Sequence, residues 1–292
     1  MGSVLAVVNP LSGGNDKSSF YEILADFLPA AGYTHTVYKT KGSNDEEALL
    51  HLLNEKKPDV VIAAGGDGTT TMVASLLVNR PERLLIVPLG SANGMAAELN
   101  IPGGAADALA LLEHGITRDI DILRINGHFS LHLADVGFNA RVVKRFEQDK
   151  KRGLLVYARH LFRELFLIKV YRFQILCDGR KFKRKAVSLT FANSSKYGTG
   201  AVINPVGRID DGKFELCIVK PFPKYYLPVI AFKFFAGNVH ESDYVEIVSC
   251  REALITCSRK TTLQIDGEVI GKTSQIKVEM FSRSVKIILP PE

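Results

Sequence analysis

The carboxylate of Asp67 sits among Gly65, Gly66 and Gly68 in the stretch Asp59–Thr71, DVVIAAGGDGTTT. Glycines in such a turn let backbone N–H groups approach a phosphate with no Cβ in the way, and a helix that starts there adds a favourable dipole. A carboxylate beside bound phosphates repels them unless a cation stands between, most simply Mg2+. Val60–Ala64 is an apolar run too short for a helix of its own and reads as a buried strand. From Thr69 to Val78 the spacing is helical, with Met72, Val73, Leu76 and Leu77 on one face. The unit is strand, glycine turn, helix. A tight turn with an incidental aspartate is the competing explanation.

The elements around this turn repeat its grammar. Ser3–Val8 is strand-like and apolar on both faces, as in a parallel sheet covered by helices, and runs into Asn9-Pro10-Leu11-Ser12-Gly13-Gly14. Phe20, Ile23, Leu24, Phe27 and Leu28 have helical spacing, and Thr34–Lys39 forms a second strand that ends at Thr40. Ser43 can cap the next helix, with Glu46 in capping-box position and Ala48, Leu49, Leu52 and Leu53 as its buried stripe. Leu84–Val87 is a fourth strand, followed by PLGSANG and a helix to about Leu99; Ala105–Glu113 is another helix. Alternating strands and helices over residues 1–120 predict a doubly wound α/β nucleotide-binding domain, whose ligands sit outside the carboxyl ends of the strands. The turns at Asn9, Thr40, Gly65 and Gly90 all follow strands and so gather on one edge of that sheet.

Residues 121–292 read differently. Short strand-like runs are punctuated by Asn126-Gly127 and Asp178-Gly179, hairpin-type turns, and predict an antiparallel β-sandwich-like domain. Ile120–Ile125, His128–Val136, Arg172–Cys177, Ala186–Ala192, Phe214–Val219, Tyr244–Val248, Ala253–Thr256, Thr261–Ile265, Gln275–Met280 and Val285–Leu289 are its strands. Helical patterns interrupt it at Gly153–Val170 and Lys224–Phe235. The boundary near residue 120 has no Pro/Gly linker, which suggests two domains packed over a shared cleft.

With 292 residues, 46% hydrophobic and 23% charged, the chain has the composition of a globular protein with a substantial core. Cys177, Cys217, Cys250 and Cys257 form no CxxC pair and lie in or beside apolar runs, which suggests reduced core thiols. No secretion signal and no run of eighteen apolar residues is present, so the expected location is cytoplasmic. The net charge of +6 is local: Arg141–Lys185 holds 15 Lys and Arg against 4 Asp and Glu, and the rest of the chain is net acidic. A local basic segment suits an anionic surface, phospholipid or nucleic acid, and is equally a solvated face. The segment carries no nucleic-acid recognition motif, so no nucleic-acid partner is expected.

Taken in order, VVNPLSGG, VYKT, GGDGT, PLGSANGMAAEL, RIDDGKFEL and QIDGE resemble the diacylglycerol kinase catalytic domain of bacterial soluble lipid kinases, relatives of sphingosine kinases. The resemblance spans essentially the whole chain. GGDGT alone is shared with NAD kinases and phosphofructokinases; the ordered set with a β-rich second half is more specific. It implies that ATP is lined by Asn9, Ser12, Thr40, Gly65, Gly66, Asp67, Gly68, Thr69, Thr70, Thr71 and Ser91, with Asn93 holding its loop or approaching the phosphates. Turn capping explains Asn9 and Ser12 as well. Asp67 matches the aspartate tied to catalytic Mg2+, and Asp121 a further acid of the metal–water network, although on residues alone Asp121 is also a strand-edge aspartate and Asp119 a rival. Glu268 matches the proton acceptor from the lipid hydroxyl, a role phosphoryl transfer needs near the attacking oxygen; on the residues alone, an Asp-Gly hairpin with an exposed Glu is the better reading. The Asp211 carboxylate and the backbone carbonyls of Arg208 and Lys213 match a structural Mg2+ loop, which could also be an exposed turn.

The sequence departs from the family at Gly94, where many members carry an aspartate. The resemblance therefore implies no network of three aspartates here, and sphingosine kinases also lack that acid. The activity implied is ATP-dependent phosphorylation of a lipid hydroxyl, on diacylglycerol or a related lipid, with a sphingoid base as the alternative. A NAD kinase-like enzyme is the rival, opposed by PLGSANG; a catalytically silent lipid- or nucleotide-binding module is the other. Such an enzyme would meet its lipid at the inner face of the membrane. Tyr157, Leu161, Leu165 and Ile168, with Arg159, Arg163 and Lys169 interleaved, have the pattern of an interfacial helix on anionic phospholipid. So has Lys224–Phe235; core packing explains either stripe too. A homodimer is compatible with the sequence.

Overall fold

The computed structural model describes residues 2–14, 16–138, 140–141, 168–197 and 200–291. They divide into two units, Met1–Ile120 with Arg283–Glu292, and Asp121–Ser282. The last ten residues, expected in the second domain, thus belong to the first unit.

In the first unit, β1 (Gly2–Val8), β2 (Tyr33–Lys39), β3 (Val60–Gly65) and β4 (Arg83–Pro88) are parallel in the order β4-β3-β1-β2. Val4–Val8 and all of β3 are buried, as their unbroken apolar runs require of central strands covered on both faces. The end of the last strand adds to this sheet, Lys286 pairing with Arg83 and Ile287 with Leu84. Helix α1 (Ser18–Ala30) buries Phe20, Leu24 and Leu28, one residue per turn. Helix α2 (Asp45–Lys56) begins after Asn44, whose φ of 57° is left-handed, and Ser43 makes no cap. The Asp45 carboxylate instead accepts the N–H groups of Lys41 and Gly42 and the Tyr38 hydroxyl at 2.7–2.9 Å. Helices α3 (Asp67–Leu76), α4 (Gly94–Glu98) and α5 (Ala105–His114) complete the unit.

The second unit is antiparallel. Strand β5 (Ile116–Ile125) carries the chain into it, and β6 (His128–Ser130), β7 (Leu133–Gly137), β8 (Tyr171–Cys177), β9 (Arg180–Ala186), β10 (Ser188–Ala192) and β11 (Phe214–Val219) follow. Helix α6 (Leu227–Ala236) precedes β12 (Val245–Cys250), β13 (Glu252–Ile265) and β14 (Glu268–Leu289). The order β12-β11-β10-β7-β13 is flanked by β14 and β8 on β13, with β9 beside β8. Phe173, Phe191, Phe214, Leu216, Ile255 and Val278 are among the residues of its core.

Three two-residue turns, Asn126-Gly127, Asp178-Gly179 and Asp266-Gly267, have positive φ at both positions, as type I′ hairpins demand. Strand β9, RKFKRKA, escaped the sequence reading because one of its inward positions is the cation Arg184, paired with Glu246, which breaks the apolar alternation. Two pairs of expected strands are continuous, giving β13 and β14, and His128–Val136 is broken at Leu131-His132. Cys177 and Cys250 are joined by a disulfide, against the expectation of four reduced thiols; Cys217 and Cys257 are free and buried. Of the basic helical stripe at Gly153–Val170, residues 153–167 lie outside the described residues.

Candidate active site

Strands β1 and β3 are neighbours, yet the chain leaves β1 toward β2 on one side and returns to β3 on the other. The carboxyl ends of β1 and β3 are therefore the switch point of this sheet, where open α/β sheets leave a crevice for ligand. Asn9 follows β1 there, its N–H donating to the Ala64 carbonyl at 2.9 Å and its Nδ2 to Thr69 Oγ1 at 3.3 Å. Ser12 Oγ donates back to the Asn9 carbonyl at 3.0 Å, so the capping role of this pair is real. Thr40, after β2, is held by the Val8 carbonyl at 2.9 Å.

The glycine turn packs backbone against backbone. A Cβ on Gly90 would stand 2.5 Å from the Gly66 Cα, and one on Gly65 would overlap the Thr69 side chain. Leu89 N–H donates to the Gly65 carbonyl at 2.8 Å, so the turns after β3 and β4 are zipped together. Asn93, at φ 50°, closes its loop with both ends of its amide: Oδ1 accepts from Gly90 N–H and Nδ2 donates to Gly90 O, each at 2.9 Å. Of the two alternatives for Asn93, holding the loop is the one observed. Ser91 is exposed at the loop tip, as is Gly68 in the first turn of α3. Thr69 and Thr70 are buried, and Thr70 spends its N–H and Oγ1 on the Gly66 carbonyl; Thr71 is half-buried.

Asp67 opens α3. Its carboxylate reaches across to α4, one oxygen accepting from Gly94 N–H and the other from Met95 N–H, both at 3.0 Å. A carboxylate oxygen has two lone pairs, so each keeps capacity for a further ligand, directly or through water. Mg2+ fits Asp67 on that count. The rival Asp119 is paired with Lys286 at 2.9 Å.

In the second unit, Asp121 is completely buried and holds the RIDDGK loop: its Oδ2 accepts from Gly212 N–H and its N–H donates to the Ile209 carbonyl, both at 2.7 Å. Within that loop Asp211 accepts from Lys213 N–H at 3.0 Å and Asp210 faces the Arg208 guanidinium at 3.4 Å. Among the described residues no three His, Cys, Asp or Glu side chains converge on a metal position. A cation at this loop would rest on the one Asp211 carboxylate and on backbone carbonyls, a hard-oxygen set of the kind Mg2+ and Ca2+ take.

Asp266 is the anchor of the DGE turn. It accepts from Ser130 Oγ and from the N–H groups of Leu131, His132 and Leu133 at 2.7–3.2 Å, which is what interrupts the strand between β6 and β7. Gly267 N–H donates to Gln264 Oε1 at 2.8 Å, and Gln264 Nε2 to the buried Asp135 at 2.6 Å. Glu268 begins β14, exposed, on a turn held from both sides.

The sequence reading missed Asp45 and Glu215. Asp45 is buried, yet the Lys41 and Gly42 amides and the Tyr38 hydroxyl more than offset that burial and hold its carboxyl below the usual range. Tyr38 is correspondingly pushed up to about 12, by burial first and then by Asp45. Glu215, two residues after Lys213, is buried beside Asn204 and Ser249, and burial raises its carboxyl.

Residues 3–125 match the diacylglycerol kinase catalytic domain, and residues 133–289 match the YegS C-terminal NAD kinase beta sandwich-like domain. The chain belongs to the YegS-like lipid kinase family. It is 28% identical to a Pectobacterium atrosepticum protein named "Probable lipid kinase YegS-like", over 99% of this chain and 96% of the relative. A Staphylococcus aureus diacylglycerol kinase is 28% identical over 91% of this chain and 86% of its own length. A crystal structure of a diacylglycerol kinase from Bacillus anthracis superposes with a TM-score of 0.75 at 20% identity, covering 99% of this chain and 97% of that one. At that identity the likeness concerns the fold, an α/β domain followed by a β-sandwich-like domain. As a member of this family the chain is a phosphotransferase with an alcohol group as acceptor.

Proposed function

We propose that the chain transfers the γ-phosphate of ATP to the hydroxyl of diacylglycerol or a closely related lipid, in the cytoplasm and at the inner face of the membrane. The observation that carries the nucleotide half is the switch point itself. Asn9, Gly65, Gly66 and Gly90 are locked there by Asn9–Thr69 and by the Gly66–Gly90 approach, with α3 starting at the turn. Rigid backbone at a helix N-terminus suits an anionic phosphate chain. Mg2+ would neutralise charge on the phosphates, and Asp67 would be the residue that holds it through water.

Glu268 is the proton acceptor in this reading. Asp266 and Gln264 fix the turn that presents it, so that its carboxylate can meet the lipid hydroxyl as the hydroxyl attacks phosphorus. Asp121 keeps the 208–213 loop in place.

Purified chain with Mg2+, radiolabelled ATP and mixed micelles tests the reading directly. Micelles carrying diacylglycerol, monoacylglycerol or sphingosine are compared with NAD in solution. Label in an extractable lipid supports it and identifies the acceptor. Label in none of the three lipids, or in NAD alone, overturns it.

A further inference from the structure

We propose that the outer face of α6 is the surface by which this chain lies on an anionic phospholipid bilayer. The helix reads LPVIAFKFFA and has no acid anywhere along it. Its inner face is accounted for: Ile230 is buried, and Leu227, Phe234 and the preceding Tyr226 pack against a core that includes Cys217, Val219 and Val239. Its outer face is apolar as well. Phe232 is 69% exposed, Phe235 65%, Val229 43%, and Tyr225, one turn earlier, 82%. These residues are three or four apart and form one stripe, filled in by Pro228 and Ala236. A surface helix ordinarily turns charged residues to solvent, and a helix apolar all round is normally covered. At ten residues α6 is too short to span a bilayer, which leaves covering from one side.

The charge around the stripe selects the cover. Between residues 220 and 237 the chain carries Lys220, Lys224 and Lys233 and no Asp or Glu. Lys224 is exposed at the start of the stripe. Of the nearby acids, Glu241 pairs with Lys233 at 3.3 Å and Glu246 with both Lys220 and Arg184, while Asp243 is exposed and its backbone carbonyl accepts from Lys220 Nζ at 3.2 Å. Through Glu246 the stripe's lysine end is tied to β9, whose Arg180, Lys181, Lys183 and Lys185 are exposed. Aromatic and aliphatic side chains bordered by cations are the composition of a surface that enters the headgroup boundary of an anionic membrane. The inference rests on the reading that the acceptor is a membrane lipid, and it adds which surface makes the contact.

The test is sedimentation of the full chain with phosphatidylcholine vesicles, with and without phosphatidylglycerol, in the absence of ATP. Binding is then measured apart from turnover, so failure here leaves the kinase reading to its own assay. Wild type should partition onto the mixed vesicles and far less onto pure phosphatidylcholine. The double variant Phe232→Ser/Phe235→Ser should lose about ten-fold or more in partition, from the apolar area removed. Its circular dichroism and thermal melt should stay native, since both rings are exposed. Lys224→Glu should weaken only the phosphatidylglycerol-dependent part. Unchanged partition of a folded double variant, or no binding by wild type, overturns the proposal. So does sedimentation velocity in which the double variant abolishes self-association while vesicle binding persists, because the cover is then a second copy of the chain.

Discussion

Asp67 and Gly94 are joined by a 3.0 Å hydrogen bond from the Gly94 N–H to the Asp67 carboxylate, and the neighbouring Met95 N–H fills the other oxygen at the same distance. The residue that replaces a family aspartate therefore binds the aspartate that remains. Asp67 both opens α3 and caps α4, so its position is fixed before any ligand arrives.

This double duty makes Asp67→Asn informative. The amide keeps one acceptor and sets an NH2 against a backbone N–H, which should cost about 1–2 kcal/mol of stability. Turnover should fall by about a hundred-fold or more if the carboxylate also carries the metal. Thermal melts and initial rates on the labelled lipid read the two effects separately. Full turnover with a lowered melting temperature would assign Asp67 to loop geometry alone.

Gly90 gives a cleaner steric test, with an internal control. Gly90→Ala drives a methyl to 2.5 Å from the Gly66 Cα, where backbone faces backbone and neither side can yield cheaply. Overpacking of this kind costs about 1–3 kcal/mol and should raise the KM for ATP by parting the two turns. Gly103→Ala meets nothing within 4 Å and has no positive φ, so it should be neutral or slightly stabilising. Denaturant melts and ATP titrations of the pair check this. Equal behaviour of the two variants would show that the Gly66–Gly90 approach does not matter to nucleotide binding.

Asp266 and Glu268 share one turn and should fail in different ways. Asp266→Ala strips acceptors from one hydroxyl and three N–H groups and should destabilise the second unit by about 2 kcal/mol or more. Glu268→Gln alters an exposed side chain and should leave the melt unchanged while kcat drops about a hundred-fold or more with little change in KM. A Glu268→Gln variant with wild-type kcat would remove Glu268 from the chemistry.

Much of the first unit was legible because its chemistry is local. Apolar runs mark the buried strands, and glycines mark the turn where Gly66 and Gly90 touch. What the sequence hid is tertiary. Asp45 outcompeted Ser43 at the start of α2 because it can collect the Lys41 and Gly42 amides and the Tyr38 hydroxyl together. Strand β9 was hidden by its own cations, and the break at Leu131-His132 by Asp266, which is 134 residues from His132 along the chain. Lys286 and Ile287 pair with β4 by a long-range parallel register that no local pattern announces. The α6 stripe was visible, yet only exposure distinguishes its Phe232 from its Phe234.

Glu215 yields a prediction in pH. Burial raises its carboxyl above the ordinary 4.5, the nearby Asp211 adds to the rise, and donors from Asn204 and Ser249 only partly offset them. A carboxyl with a raised folded pKa favours the fold most when protonated. Its contribution is complete below the unfolded value and is lost as pH climbs through the folded one. Glu215→Gln mimics the protonated form, and its NH2 can donate to Asn204 Oδ1, which meets no donor among the described residues, once Asn204 turns its amide over. The variant should therefore match wild type near about pH 4 and become progressively more stable than wild type toward about pH 8. Urea melts across that range measure the gap. A gap that stays constant with pH, or that favours wild type increasingly as pH rises, would mean that Glu215 is better accommodated as a carboxylate, as a cation bound at the adjacent Asp211 loop would make it; repeating the melts with Mg2+ and with EDTA separates that cause from a purely structural one.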